Sequence, residues 1–202
     1  MRELYIPGGR RESQPKVIVK PSVVEKLGEP QVNYDQLDEL FRKELGIDRT
    51  TVPTIHLRRR RLAPHLGVHV PFTNSINVYP VAIENKKQPQ YTEVGVNTMH
   101  VVIHEGVHLS DSINHKRRTA VEAGLRVAST EAGWLYGNFV GSNLSEPLHS
   151  ACALGFAVAT NVAYQWTLDP TERRAHRIAD DPELNRKYRD AITFPESKYK
   201  LP

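Results

Sequence analysis

The stretch HVVIHEGVHLSD, residues 100–111, places three histidines at intervals of four in an otherwise apolar run. On a helix, which advances about 100° per residue, the apolar residues between Val96 and Leu109 cover more than half of the circumference. His104 and His108 share the remaining face, one turn apart, and Glu105 lies on its flank. The pattern therefore predicts a helix deep in the fold that presents two imidazoles and a carboxylate together.

This polar trio needs a cation, because burying two imidazoles and a carboxylate without one would cost several kcal/mol. His104, Glu105 and His108 form the pattern H-E-x-x-H. Its two histidines direct nitrogens to one point and supply two of the three protein ligands of an open tetrahedral zinc site. We therefore expect one Zn²⁺ ion held by His104 and His108. The carboxylate of Glu105 would reach a water molecule beside the ion.

His100 has the same four-residue spacing from His104, but Val101 stands where a base would be required. Two roles remain open for His100 at this point. In the first, His100 orients a metal ligand or faces the substrate. In the second, it lies at the rim of the site and has no such role.

Upstream of this helix the hydrophobic period changes to two. Residues 53–83 contain the runs TIHLRRRRL, GVHVPF and INVYPVAI, which predict a small antiparallel or mixed sheet. Residues 33–47, NYDQLDELFRKELGI, predict an amphipathic helix with Gly46 just past its end. Residues 1–30 contain four prolines and three glycines and are expected to form an irregular arm, with one short strand at KVIVK.

Downstream, the sequence predicts helices alone. They are expected at about 92–110, at about 117–136, from SEPLHS to Trp166, and in two segments that each open with Asp-Pro. The small-residue segment ACALGFAVATNVAY is expected to be a buried core helix. A sheet followed by helices is the order of an α+β fold. The length of 202 residues then predicts a single domain over residues 31–202.

The composition argues against several classes of protein. No apolar run approaches the ~18 residues of a membrane span, and no signal peptide is visible. Cys152 is the single cysteine, which excludes an internal disulfide and a thiolate-rich metal site. We therefore expect a cytoplasmic protein without a membrane partner. The net charge of +4 is too small to indicate nucleic acid, and alternate residues of Arg58–Arg61 would point to opposite faces of a strand.

The motif HEGVH after a small sheet resembles the zinc peptidases called zincins, over about residues 53–111. The metzincin branch continues the motif with x-x-G-x-x-H. Here Asp111 and Asn114 stand at the glycine and histidine positions, and His115 misses by one. The sequence is therefore similar to the gluzincin branch, in which a glutamate on a later helix is the third ligand. The resemblance implies a zincin-like domain with the motif helix in a helical bundle.

Glu172 is the preferred third ligand under this resemblance. Its segment PTERRAHRIA looks like the P-x-E-x-x-A-x-x-x-A helix that many small gluzincin-like proteins place after H-E-x-x-H. Ala175 and Ala179 would let that helix approach the motif helix closely. Several gluzincins have an aspartate one turn after the glutamate, where this chain has His176. Two other aspartates, Asp111 and Asp180, could orient an imidazole instead.

Glu131 and Glu122 remain alternatives to Glu172. Glu131 lies near the apolar arc of its predicted helix, so it could be an inward carboxylate. Glu122 follows Thr119 by three residues, which is the spacing of a capping box, and points toward the polar side with Arg126. Glu172 could instead take part in a helix cap with Asp169, which precedes it by three residues.

The resemblance implies a zinc-dependent metallopeptidase. Glu105 would take a proton from the zinc-bound water and pass it to the leaving nitrogen. A protein or peptide substrate would pair with an edge strand near SINVYPVAI. A neutral donor would hold the oxyanion. The candidates are Tyr136, His149, Tyr164 and His176.

Two other functions are weighed against the peptidase. One is a catalytically inactive, zinc-stabilised domain that binds a protein or peptide by its sheet edge. The other is a nucleic-acid binder that uses Arg58–Arg61 with Arg173, Arg174 and Arg177. The arginine run lacks interleaved aromatic residues, which argues against nucleic acid. The sequence does not indicate an oligomeric state.

Overall fold

The computed structural model describes residues 4–5, 13–59, 66–80, 98–167 and 169–195. The chain has an α+β fold, as predicted, and divides into two compact units. One unit comprises Met1–Asn114 and Arg174–Pro202, and the other comprises His115–Arg173. Several predicted segments lie partly outside the described residues: the arm at 1–3 and 6–12, the arginine run at 60–61, the sheet at 81–83 and the motif helix at 92–97.

The first unit contains a five-stranded mixed sheet in its described part. The strands of this unit are β1 (Leu4–Tyr5), β2 (Lys16–Val19), β3 (Gln31–Val32), β4 (Thr54–Leu57), β5 (Gly67–His69), β6 (Ser75–Val78) and β7 (Ile192–Thr193). The order of the five-stranded sheet is β1-β2-β4-β6-β5, and β3 and β7 form a separate antiparallel pair. Strands β2, β4 and β6 run parallel, and β1 and β5 join them antiparallel at the two edges.

The described part of the arm is ordered structure rather than the irregular segment predicted. The short strand expected at KVIVK is confirmed as β2, which lies between β1 and β4. Helix α1 (Pro21–Leu27) follows it and was not predicted. Pro21 begins α1, where its fixed φ suits a first helical position, and Val23 and Leu27 are buried. A proline in this region can therefore begin a helix as well as interrupt a strand or helix.

Helix α2 (Tyr34–Glu39) continues into a π-helical turn, Leu40–Glu44, and this whole segment matches the predicted amphipathic helix. The Asn33 side chain accepts a hydrogen bond from the Gln36 amide and caps α2. Gly46 has a φ of +67° just past the end, a conformation that glycine adopts without strain. The predicted buried face is confirmed for Leu37, Leu40, Phe41 and Leu45.

The motif helix is α3 (Thr98–Asn114), and it packs on β5 and β6. Its apolar arc is buried as the 3.6-residue period predicts. The buried members include Met99, Val102, Ile103, Val107 and Leu109. Two shorter helical elements also belong to this unit. They are α7 (Pro182–Tyr188) and the 3₁₀ turn Arg189–Ala191.

The second unit is mainly a helical hairpin of α4 (Lys116–Gly141) and α5 (Glu146–Thr167). Glycines let the two backbones approach closely. A Cβ on Gly133 would lie 2.5 Å from the carbonyl oxygen of Phe156, and one on Gly137 would lie 2.6 Å from the Cα of Ala153. The two helices therefore contact along a glycine face of α4.

The outward faces of this hairpin are apolar and exposed. Helix α5 was predicted to be buried, but Leu148, Leu154, Val158 and Val162 are each at least 45% exposed. Only one side of α5 packs on α4, which explains the difference. No helix in the described part of the chain is both long enough and apolar enough to cross a membrane.

Candidate metal centre

His104 and His108 converge on one face of α3, as their spacing predicts. Both residues are half-buried, and their Nε2 atoms are 3.3 Å apart. Zinc–nitrogen bonds in a tetrahedral site place two nitrogens about 3.3 Å apart. The pair therefore has the separation that a shared zinc ion requires. The same separation also allows one ring to donate a hydrogen bond to the other.

Helix α6 (Pro170–Ala179) carries the remaining residues of the predicted site. Asp169 begins it, because its carboxylate accepts hydrogen bonds from the amides of Thr171 and Glu172 at 2.9 and 3.2 Å. The two predicted small residues, Ala175 and Ala179, are completely buried. One position beyond Ala175, the ring of His176 lies edge-on to that of His104, with 4.7 Å between centroids.

His104, His108 and Glu172 form a group that could hold a metal ion. One ligand atom from each lies within 4.8 Å of the others, and all three residues are half-buried. Glu172 precedes His176 by one turn of the same helix, so both side chains lie on one side of α6. Two imidazole nitrogens and a carboxylate oxygen are a donor set that suits zinc and other divalent transition ions.

The two alternative glutamates lie elsewhere in the described structure. Glu131 is exposed on α4. Glu122 is buried, and its carboxylate accepts hydrogen bonds from the guanidinium of Arg118 at 2.8 Å and from the hydroxyl of Thr171. The capping box predicted at Thr119 is wrong, because α4 begins at Lys116 and Thr119 lies inside its first turn.

Arg126 forms hydrogen bonds with Glu172 and with Asp169, the residue that caps α6. This role was not predicted from the sequence. Its Nε donates to Asp169 at 2.7 Å, and its Nη2 donates to Oε1 of Glu172 at 3.0 Å. Burial of Arg126 disfavours its charge, but the two carboxylates outweigh that effect and raise its pKa. Arg126 thus places a permanent positive charge against Oε1 of Glu172, the carboxylate that belongs to the group able to hold a metal ion.

Glu105 is only 7% exposed and lies beneath strand β5. A Cβ on Gly67 of β5 would come within 2.9 Å of Cγ of Glu105 and would also clash with Val101. Glycine therefore permits the close approach of β5 to α3 at the position of the proposed base.

The edge strand beside Glu105 is β5, and the prediction of an edge near SINVYPVAI is wrong for the described part of that segment. Strand β6 (Ser75–Val78) lies between β4 and β5. In the described residues, β5 is paired on one side only.

His69 fixes β5 to α3 and was not singled out from the sequence. It is buried, with Nδ1 3.0 Å from the carbonyl oxygen of Ser75 and Nε2 3.0 Å from the hydroxyl of Ser112. Burial lowers the pKa of His69 to about 4, so the ring is neutral at pH 7. Because a carbonyl only accepts, Nδ1 donates to Ser75 and Nε2 of the neutral ring faces the Ser112 hydroxyl as an acceptor. That hydroxyl also donates to the carbonyl oxygen of Leu109 at 2.9 Å, so its proton is shared between the two acceptors. Gly67 and His69 are two residues apart and therefore lie on the same face of β5. This alternation is the feature of the sequence from which the position of His69 could have been predicted.

The two aspartates proposed to orient an imidazole have different partners. Asp180 lies 3.7 Å from Nε2 of His100, and Asp111 is buried and pairs with Arg174. Burial lowers the pKa of His100, and the neighbouring Asp180 partly offsets that effect. His100 is thus a half-buried histidine with an acidic neighbour.

Four residues are candidate oxyanion donors. In the part of the chain that the structure describes, His176 is the one among them whose ring contacts a candidate metal ligand, the ring of His104. The other three lie in the hairpin unit. Tyr136 packs on Phe156, and His149 lies against Gly141. Burial, followed by the charges of Asp169 and Glu122, raises the pKa of Tyr164.

The candidate centre comprises a buried carboxylate, two converging imidazoles and a second carboxylate held by an arginine. No protein-family model matches the chain, and no curated protein or solved structure matches it.

Proposed function

We propose that this protein is a zinc-dependent metallopeptidase in which Glu105 is the general base. The observation that carries the proposal is the 3.3 Å separation of the His104 and His108 Nε2 atoms, in one group with Glu172. Three such protein ligands are typical of catalytic zinc sites, which keep a fourth position open.

Zinc would polarise the scissile carbonyl and bring the pKa of a water molecule toward about 7. Glu105 would accept the proton of that water and deliver it to the leaving nitrogen. Two observations support this role: Glu105 directly follows His104 in the chain, and it is only 7% exposed. His176, beside His104, would donate a hydrogen bond to the oxyanion.

The substrate proposed is an extended segment of a peptide or protein. Strand β5 is paired on one side in the described residues and lies over Glu105. A peptide that adds to this edge would be held by main-chain hydrogen bonds. Its scissile carbonyl would then lie near the base.

The first test compares Glu105→Gln with His104→Ala. Wild-type protein and Glu105→Gln should each contain about one zinc ion per chain, whereas His104→Ala should lose the metal. Glu105→Gln should lower the rate of cleavage of a peptide library by at least about 100-fold. Elemental analysis and mass spectrometry of the products provide the two readouts. Full activity of Glu105→Gln would show that the base is assigned wrongly.

A second pair of variants tests the third ligand. Glu172→Gln should weaken zinc binding by about 10- to 100-fold or more, as expected for loss of a ligand or its support. Glu131→Gln is the matched control, because Glu131 is exposed on α4 and should leave zinc affinity unchanged. Equal affinities for wild type and Glu172→Gln would remove Glu172 from the site. Zinc binding without any cleavage would instead favour the non-catalytic binding domain.

A further inference from the structure

We propose that two copies of this chain associate by antiparallel pairing of their α4 helices. The surface concerned is the outer stripe of α4. It consists of Val121, Leu125, Ala128, Ala132, Leu135 and Phe139. All six residues are exposed, and the four larger ones are between 49% and 78% exposed. They recur at alternating intervals of four and three, the spacing of residues that pack between paired helices.

The outer stripe is separate from the contact with α5. The residues of α4 that approach α5 most closely include Gly133, Gly137 and Gly141, and Tyr136 packs on Phe156. At about 100° per residue, this glycine face lies on the opposite side of the helix from the outer stripe. Helix α4 thus carries two packing faces within its unit, and α5 covers one of them.

The order of side-chain sizes along the outer stripe identifies a second copy as the occupant. Two large residues, two alanines and two large residues follow in turn, so the order is the same in both directions. In an antiparallel pair centred between Ala128 and Ala132, these alanines face each other across the axis. Leu125 then lies opposite Leu135, and Val121 opposite Phe139. A two-fold interface requires this self-complementarity.

The apolar area is sufficient for a weak dimer. Given the observed exposures, the outer stripe presents on the order of 500 Å² per chain. Pairing would bury about 1,000 Å² in total, which is the lower bound of a specific interface. The dimer is therefore expected to be weak and to depend on protein concentration.

The same face is poorly suited to a lipid bilayer. Glu131 is exposed on the flank of the outer stripe, level with its two alanines. In a helix pair that flank stays in water, whereas a bilayer would desolvate the carboxylate. The charged flank therefore favours a protein partner over a membrane.

The test uses sedimentation velocity of the full-length chain over a range of concentrations. Wild type should shift from monomer to dimer as the concentration rises, and Leu135→Glu should remain monomeric. Val127→Glu is the matched control, because Val127 is 58% exposed on α4 but lies about 120° from the centre of the outer stripe. Wild type that stays monomeric, or a dimer that Leu135→Glu leaves intact, would overturn the proposal.

Cysteine cross-linking then tests the direction of pairing in a Cys152→Ser background. Oxidation should join two chains that carry both Ala128→Cys and Ala132→Cys, and it should leave either single variant largely uncoupled. Coupling of both single variants would indicate parallel helices and contradict the proposed geometry. Flotation with phosphatidylcholine–phosphatidylglycerol vesicles completes the test, and monomeric protein that floats would show that the stripe binds lipid instead.

Discussion

At the scale of single residues, Gly67 decides how closely β5 approaches Glu105. Strand β5 is the one proposed to pair with the substrate, and Glu105 is the proposed base. Gly67→Ala should destabilise the protein by about 1–3 kcal/mol, because the new methyl group would overlap Val101 and Glu105. Urea unfolding measures the effect. Gly124→Ala is the control, since no atom lies within 4 Å of a Cβ there and α4 should gain about 0.5–1 kcal/mol. Equal effects of the two substitutions would contradict the packing described for β5.

His69 should make the free energy of unfolding depend on pH. Its pKa is about 4 in the folded protein against an ordinary value of 6.5, so the unfolded chain takes up the proton first as the pH falls. This contribution is complete above pH 6.5, is lost between pH 6.5 and 4, and amounts to on the order of 3 kcal/mol.

The measurement for His69 is the free energy of unfolding between pH 7 and pH 4. His69→Gln should flatten this pH dependence. His115→Gln, which alters an exposed histidine, should leave the dependence unchanged. Identical pH profiles for wild type and His69→Gln would contradict the neutral, buried state of this ring.

Side-chain placements that depend on local spacing could be predicted, and contacts between residues distant in the chain could not. His104, Glu105 and His108 follow from one helical turn, and Glu172 came from a short family-like pattern. Arg126 and its partner Glu172 are 46 positions apart in the chain, and His69 and Ser112 are 43 apart. No periodicity in one sequence joins such pairs.

At the scale of elements, the glycine face of α4 fixes the spacing of the helical hairpin. Gly133→Ala should destabilise the protein by about 1–3 kcal/mol, because its Cβ would meet the backbone of Phe156. Thermal unfolding followed by circular dichroism measures the change. Gly155→Ala on α5 is the matched control, with no atom within 4 Å of the added carbon. A stable Gly133→Ala variant would show that the hairpin tolerates a wider spacing.

The positions of the elements were predicted better than their pairing. The two Asp-Pro pairs correctly predicted where α6 and α7 begin, because Asp169 caps α6 and Asp181 caps α7. Strand order depends instead on contacts between segments far apart in the chain. Strand β6 pairs with β4 as well as with its neighbour β5, which leaves β5 at the edge of the sheet among the residues that the structure describes. An alternating pattern within each strand carries no information about this choice.

At the scale of the whole molecule, zinc should stabilise the folded chain. A ligand that binds only the folded state adds about 2.7 kcal/mol at a free concentration 100 times its dissociation constant. Urea unfolding with zinc and with a chelator should differ by about that amount. His108→Ala should abolish the difference, whereas His115→Ala should preserve it. Equal stability with zinc and chelator would argue against a metal ion at this centre.

The anchoring of His69 at both ring nitrogens has a consequence for the dynamics of the sheet edge. An edge strand ordinarily frays, and its amides exchange with deuterium quickly. Here the separation of β5 from its neighbours would break the bonds of His69 to Ser75 and to Ser112 together. The β5 amides that donate to β6 should therefore exchange about as slowly as those of interior strands. An incoming peptide would meet an edge strand that is already ordered beside Glu105.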